Sequence, residues 1–171
     1  MKLTSFASSL LLPLLFIGLS AGVSTAVYAE DNGIQIDVPV KLKEAKIVFN
    51  MDHHAFSGDT PVGLAHMTIM TERFPKAGTK WNLAAIFHGE AGYMLLNDES
   101  YDAIRKTKNG NPYKNMIHNL IEKGVQVEEC GVTMKGNKWT NKNLLPGVKV
   151  NSGADARIVQ LVQEGYVMLQ P

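Results

Sequence analysis

From Lys46 to Leu169 short apolar runs alternate with helical patterns, and this alternation constrains the fold more than any other feature of the chain. Lys46–Met51, Trp81–Phe87, Val125–Glu129, Val148–Val150 and Tyr166–Leu169 read as strands, the first two with the near-continuous apolar character of strands buried on both faces. Between them lie helical patterns. Leu64, Met67, Ile69 and Met70 line one face after Thr60-Pro61, which reads as a cap followed by a first-turn proline. Tyr113, Met116, Ile117, Leu120 and Ile121 recur at spacings of a single helix face after Asn111-Pro112, a second cap-then-proline pair. Gly124 stops that helix, and a last helix over Ala154–Glu164 turns Ile158, Leu161 and Val162 inward. Further helical turns are expected around Met94–Leu96, around Tyr101 and Ile104, and over Leu144–Gly147. Strands that alternate with helices predict a mostly parallel, five-stranded sheet in a three-layer α/β/α domain. Right-handed crossovers then gather every strand exit on one edge.

The beginning of the chain follows a different logic. Lys2 precedes an apolar run from Leu10 to Leu19, small residues follow, and Val27-Tyr28-Ala29 offers compact side chains at a cleavage site. That order is a secretory signal peptide, and its core is shorter than the roughly 20 residues a membrane span needs. Cleavage is expected after Ala29, with export to a bacterial periplasm and no membrane span thereafter. Residues 30–44 read as an extended N-terminal segment and residues 45–171 as one domain with a single core. Loss of residues 1–29 removes Lys2 and leaves basic and acidic residues in equal number. A neutral balance disfavours nucleic-acid binding, which needs an excess of Lys and Arg on one face.

Cys130 is the only thiol, at the end of the third strand and directly before Gly131. Open α/β folds keep their reacting groups at such strand exits. A lone thiol is an inert buried residue, an intermolecular partner or a reactive sulfur, and in an exported chain an odd cysteine flags the last two. A reactive thiol needs its pKa lowered, which Gly131 could assist by letting the backbone turn its N–H groups toward the sulfur. Glu128 and Glu129 act against this, although strand alternation sends them to opposite faces. His88 ends the second strand as Cys130 ends the third, and could take the thiol proton. Asp52, His53 and Gly89 follow other strand ends and could line the same edge, as could Ser152 before the last helix. No metal-ligand spacing, phosphate loop, dinucleotide fingerprint or serine elbow is present, so neither a metal nor a cofactor is expected. Exposed Met134 and Trp139 would suggest a subunit contact, or they fold back as core.

The order Phe87-His88-Gly89-Glu90-Ala91, Leu95-Leu96, Tyr101, Asn111-Pro112, Leu120-Ile121, Gly124-Val125 and Cys130-Gly131 resembles the DsrE/DsrF-like proteins. Leu144–Val148, Gln160-Leu161 and Gly165-Tyr166 extend the likeness, which is greatest to the exported single-domain branch. The resemblance implies a five-stranded parallel sheet and assembly as a homotrimer or homohexamer. It further implies a sulfur carrier that holds a persulfide on a cysteine at the sheet edge, for which Cys130 is the only candidate. Its partners would be donor and acceptor proteins or small sulfur compounds. Two alternatives stand beside it: a small-ligand-binding or self-assembly module in which Cys130 is structural, and a thiol sensor that oxidises reversibly.

Overall fold

The computed structural model describes residues 33–171; the predicted signal peptide lies outside them. Contacts divide the chain between Pro39 and Val40, and the second unit, Val40–Pro171, holds the sheet.

Strand β1 (Glu44–Met51) leads through a small antiparallel pair, β2 (Phe56–Ser57) and β3 (Thr60–Pro61), into helix α1 (Val62–Lys76). Strand β4 (Lys80–Phe87) is followed by a 3-10 segment over Gly89–Leu95 and by helices α2 (Asp98–Arg105) and α3 (Lys114–Glu122). Strand β5 (Gln126–Cys130) runs directly into the short helix α4 (Gly131–Gly136). After a 3-10 turn over Asn141–Asn143 come β6 (Lys149–Asn151), α5 (Ala154–Gln163) and β7 (Val167–Leu169).

Five strands form one sheet in the order β6-β5-β4-β1-β7, and every neighbouring pair is parallel. The three-layer fold expected from the alternation is therefore the fold observed. The two outer layers are unequal. Alternation along the strands sends Ile47, Phe49, Leu83, Ala85, Phe87 and Val127 into a large core beneath α1 and α3. Val48, Ala84, Ile86 and Cys130 face a smaller core closed by Ala154, Ile158 and Leu161 of α5. The middle of β1 and the end of β4 are covered on both faces, which is why they read as apolar runs. Met134 is core, and Trp139 packs against it. No described helix is long and apolar enough to cross a membrane.

Several local expectations are displaced. Thr60 belongs to β3 and Pro61 occupies the N-cap of α1, so the cap-then-proline reading is one residue out. Pro75 lies inside the last turn of α1. Asn111 does not cap α3, which starts three residues later. Its buried amide instead donates to Met94 O (2.7 Å) and Leu96 O (2.6 Å), and its Oδ1 accepts from Tyr113 N. A buried polar side chain must find partners, and Asn111 ties the 3-10 segment to the start of α3. The turn expected within Leu144–Gly147 forms at Pro146-Gly147, where Val148 N donates to Leu145 O (3.3 Å), whereas the short helix expected with it lies earlier, over Asn141–Asn143, closed by a capping box between Thr140 and Asn143.

Candidate functional site

Parallel pairing puts the ends of β1, β4, β5 and β6 along one sheet edge. Phe87 pairs with Glu129, so His88 and Cys130 leave neighbouring strands at the same level. Cys130 pairs with Asn151 at the end of β6.

The sulfur sits where two helices begin. Cys130 is the N-cap of α4, and its Sγ accepts from the N–H of Ala154, the first residue of α5, at 3.3 Å. Burial pushes the thiol pKa up. Hydrogen bonds from the Thr133 amide, the Ala154 amide, the Thr133 hydroxyl and the Val132 amide outweigh it, and the thiol lies below its usual value. Only 4% of Cys130 is exposed. Gly131 matters through close approach, because a Cβ there would lie 2.8 Å from Asn151 O. A side chain at that position would part α4 from β6.

The two glutamates have opposite fates, as strand alternation requires. Glu128 shares the α5 face with Cys130 and is 3% exposed. Arg157 Nε reaches its carboxylate at 3.0 and 3.2 Å, Asn151 donates to it at 3.1 Å, and Gln126 donates as well. Its charge is thus matched before it can act on the thiol. Glu129 faces the larger core, fully buried, and neither carboxyl oxygen makes a hydrogen bond of ordinary geometry. Burial pushes its pKa up to about 9, countered only in part by the Cys130 N–H, so it is a neutral acid at pH 7. It fits there because Gly92 has no side chain: a Cβ would stand 2.8 Å from Glu129 Oε1 and 3.1 Å from Thr133 Cγ2.

His88 is half-buried, and its Nε2 meets Asn50 Oδ1 of β1 at 2.7 Å. An amide oxygen only accepts, so Nε2 carries the proton and Nδ1 is the basic nitrogen. Gly89, at φ +55°, brings its N–H to Thr133 Oγ1 (3.0 Å) and packs beside Asp52 O. Thr133 therefore joins the exit of β4 to the sulfur. Asp52 and His53 bond each other, and Gln170 donates to both Asp52 oxygens at 3.0 Å. Gln170 leaves β7, and on the side of β4 Glu90 N donates to Asp52 O at 3.2 Å. His54 turns away from His53, with Nε2 at 3.0 Å from Glu90 O and its ring edge-on to Tyr93. Ser152 is exposed on the turn before α5, while the next turn supplies the Ala154 amide to the sulfur. Asn151–Ala154, at the start of the last helix, could be expected from sequence to offer N–H donors to this edge, and Ala154 does so; Thr133, Asn50 and Arg157 were not assigned to the site from sequence. Only Thr133 had a local signal, as a hydroxyl at the third position of a helix that starts at Gly131.

The profile of the DsrE/DsrF-like family matches residues 43–171. The chain belongs to the DsrE/DsrF-like family. That family is associated with sulfur metabolism. Among solved structures, the fold is similar to a protein of unknown function, MTH1491 from Methanobacterium thermoautotrophicum. That likeness has TM-score 0.57 and 19% identity, covering 74% of this chain and 99% of that one. It is also similar to the ychN protein from E. coli (TM-score 0.53, 17% identity, 74% and 99% coverage). No curated protein matches the chain. At these identities the structural neighbours speak for this DsrE-like fold alone.

Proposed function

We propose that this DsrE/DsrF-like chain is exported and carries sulfur as a persulfide on Cys130. The observation that supports this most is the seat of Sγ at the beginnings of α4 and α5, where backbone N–H groups favour a thiolate. In the proposed step the thiolate attacks the outer sulfur of a donor persulfide, R–S–SH. The donor S–S bond breaks, R–S⁻ departs, and Cys130 holds S–SH. An acceptor thiolate reverses the exchange, and Cys130 leaves as a thiolate stabilised by the Thr133 and Ala154 amides. In this reading His88, whose Nε2 meets Asn50 Oδ1, takes the resting thiol's proton on its other ring nitrogen. Asp52, His53, Gly89, Gly131 and Ser152 border the edge at which donor and acceptor meet the protein.

Intact-mass measurement before and after incubation with a polysulfide tests this reading. The expected result is a reducible gain of sulfur that is absent in Cys130→Ser. No gain in the native protein refutes it. The burial of Cys130 favours a second reading, in which the thiol is part of the smaller core and the domain is a small-ligand-binding or self-assembly module. In that case the thiol alkylates only after denaturation, and Cys130→Ser lowers stability. Export is tested separately, by fractionation and by sequencing the processed amino terminus, expected at Glu30.

A further inference from the structure

Three tyrosines from three separate elements meet at the larger core. Tyr93 lies in the 3-10 segment, Tyr101 on α2 and Tyr113 at the N-cap of α3. Their ring centroids form a near-equilateral triangle with separations of 5.9, 6.2 and 6.2 Å. Phe56 of β2 stands 6.1 Å from Tyr113. The order of burial in this group is inverted. Tyr93 and Tyr101 are 7% and 6% exposed, whereas Phe56, which has no hydroxyl, is 38% exposed. Packing alone would place the plain ring inside and the hydroxylated rings outside, because a phenol withdrawn from water needs a partner for its O–H.

Arg105 completes the group. It follows Tyr101 by four residues on α2, so the two share one side of the helix. Its guanidinium carbon lies 4.3 Å from the centre of the Tyr93 ring. Stacking uses the flat face of a guanidinium and leaves the N–H groups around its edge free to donate. No acid claims them: among the described residues Arg105 joins no ion pair. The two aspartates of α2 are engaged elsewhere. Asp98 is taken by Lys114 and the Asn111 amide, and Asp102 by the Thr107 hydroxyl and the Gly110 amide. The Tyr101 and Tyr113 hydroxyls lie close enough to act on each other, and Arg105 acts on both. Burial, the largest influence, pushes both phenols above the usual tyrosine value, so they keep their protons and can donate at neutral pH.

We propose that Arg105, Tyr101 and Tyr113 form a binding site for a small oxyanion, with Tyr93 supporting the guanidinium from beneath. The group offers N–H and O–H donors and no carboxylate. It therefore suits a ligand that brings oxygen acceptors and a delocalised negative charge. Sulfate, thiosulfate and a carboxylate share that chemistry. The fork of guanidinium N–H groups can meet two such oxygens at once, and a phenol O–H can reach a third acceptor position or share one of the two. The site uses neither Cys130 nor His88, so the proposal is independent of the persulfide reading.

The test is titration of the full chain, purified as the host processes it, with sodium thiosulfate, sodium sulfate and sodium acetate. Ionic strength is held constant with sodium chloride, and binding is followed by the near-ultraviolet difference spectrum of tyrosine and by the melting temperature. At least one of the three salts is expected to give a saturable change that chloride does not. Tighter binding of thiosulfate or sulfate assigns a sulfur oxyanion, and tighter binding of acetate assigns a carboxylate. Arg105→Gln is expected to weaken the binding at least about 10-fold, the scale of one lost charge-assisted contact. The double variant Tyr101→Phe/Tyr113→Phe, which keeps both rings, is expected to weaken it several-fold. Cys130→Ser is expected to bind like the unaltered chain. Absence of a saturable change with all three salts overturns the proposal, as does unchanged affinity in either site variant or loss of binding in folded Cys130→Ser. Arg105 is exposed, so its replacement leaves the core intact and keeps the result decisive even if the double tyrosine variant folds poorly.

Discussion

Replacing Glu129 should change how stability depends on pH, and the size of the effect follows from its burial. In the folded chain the carboxyl has no ordinary hydrogen-bond partner and holds its proton up to about pH 9. In the unfolded chain it ionises near 4.5. Between those values unfolding releases a proton, so folding stability falls as pH rises. The slope approaches about 1.4 kcal/mol per pH unit. Relative to acid conditions, the loss from this one group is about 3 kcal/mol at pH 7 and about 6 kcal/mol at pH 9. Typical net stability is only about 5–15 kcal/mol, so the effect is large enough to measure. Asp52 and Asp98, held below the carboxylate range chiefly by hydrogen bonds from His53 and Lys114, act in the opposite sense and in a different window. Their contribution is present above the usual carboxylate pKa and lost as pH falls below it. The Cys130 thiol is also lowered and would add stability toward alkaline pH, so Cys130→Ser is the right background. Urea denaturation at intervals from pH 5 to pH 9 should show stability falling in that background. It should fall far less once Glu129→Gln or Glu129→Met is added. Near pH 5 Glu129→Gln should resemble its parent, and at pH 8.5 it should be more stable by several kcal/mol. Parallel profiles for parent and variant would refute the claim that Glu129 is buried as a neutral acid.

Three further outcomes are expected. Gly131→Ala should destabilise the fold by about 1–3 kcal/mol, because its Cβ meets Asn151 O at 2.8 Å; an unchanged melting temperature would contradict that close approach. Arg157→Ala should cost about 3–5 kcal/mol in denaturant titrations by leaving Glu128 buried without its charge partner, and a loss under 1 kcal/mol would show that water or another group replaces it. Thr133→Val should raise the pH at which Cys130 becomes reactive, because it removes one hydrogen bond to the sulfur while keeping the side chain's shape. The readout is the pH profile of alkylation rate, and a profile identical to the parent's would remove Thr133 from the site.

The layered fold was legible because its signals are local. Near-continuous apolar runs at β1 and β4 report burial on two faces, and the 3.6-residue spacing of Ile117 and Leu120 reports a helix lying on a sheet. Asn111 shows where local reading fails. Asn-Pro before a helical pattern looks like a cap, yet the side chain is consumed by Met94 O and Leu96 O, and neither carbonyl is marked in the sequence.

By itself the sequence determined the parallel sheet, the family and the position of a single thiol at a strand exit, all carried by residue order along one stretch of chain. Tertiary structure alone decided what surrounds that thiol. Ala154 lies 24 residues beyond Cys130 and Arg157 lies 29 beyond Glu128, yet the crossover from β6 into α5 sets both against the end of β5. Glu128 and Glu129 are adjacent and identical, and the pleat of β5 turns one toward Arg157 and the other into apolar core. Charge and proton affinity depend on what lies across space within a few ångströms, and those distances exist only once the sheet has closed.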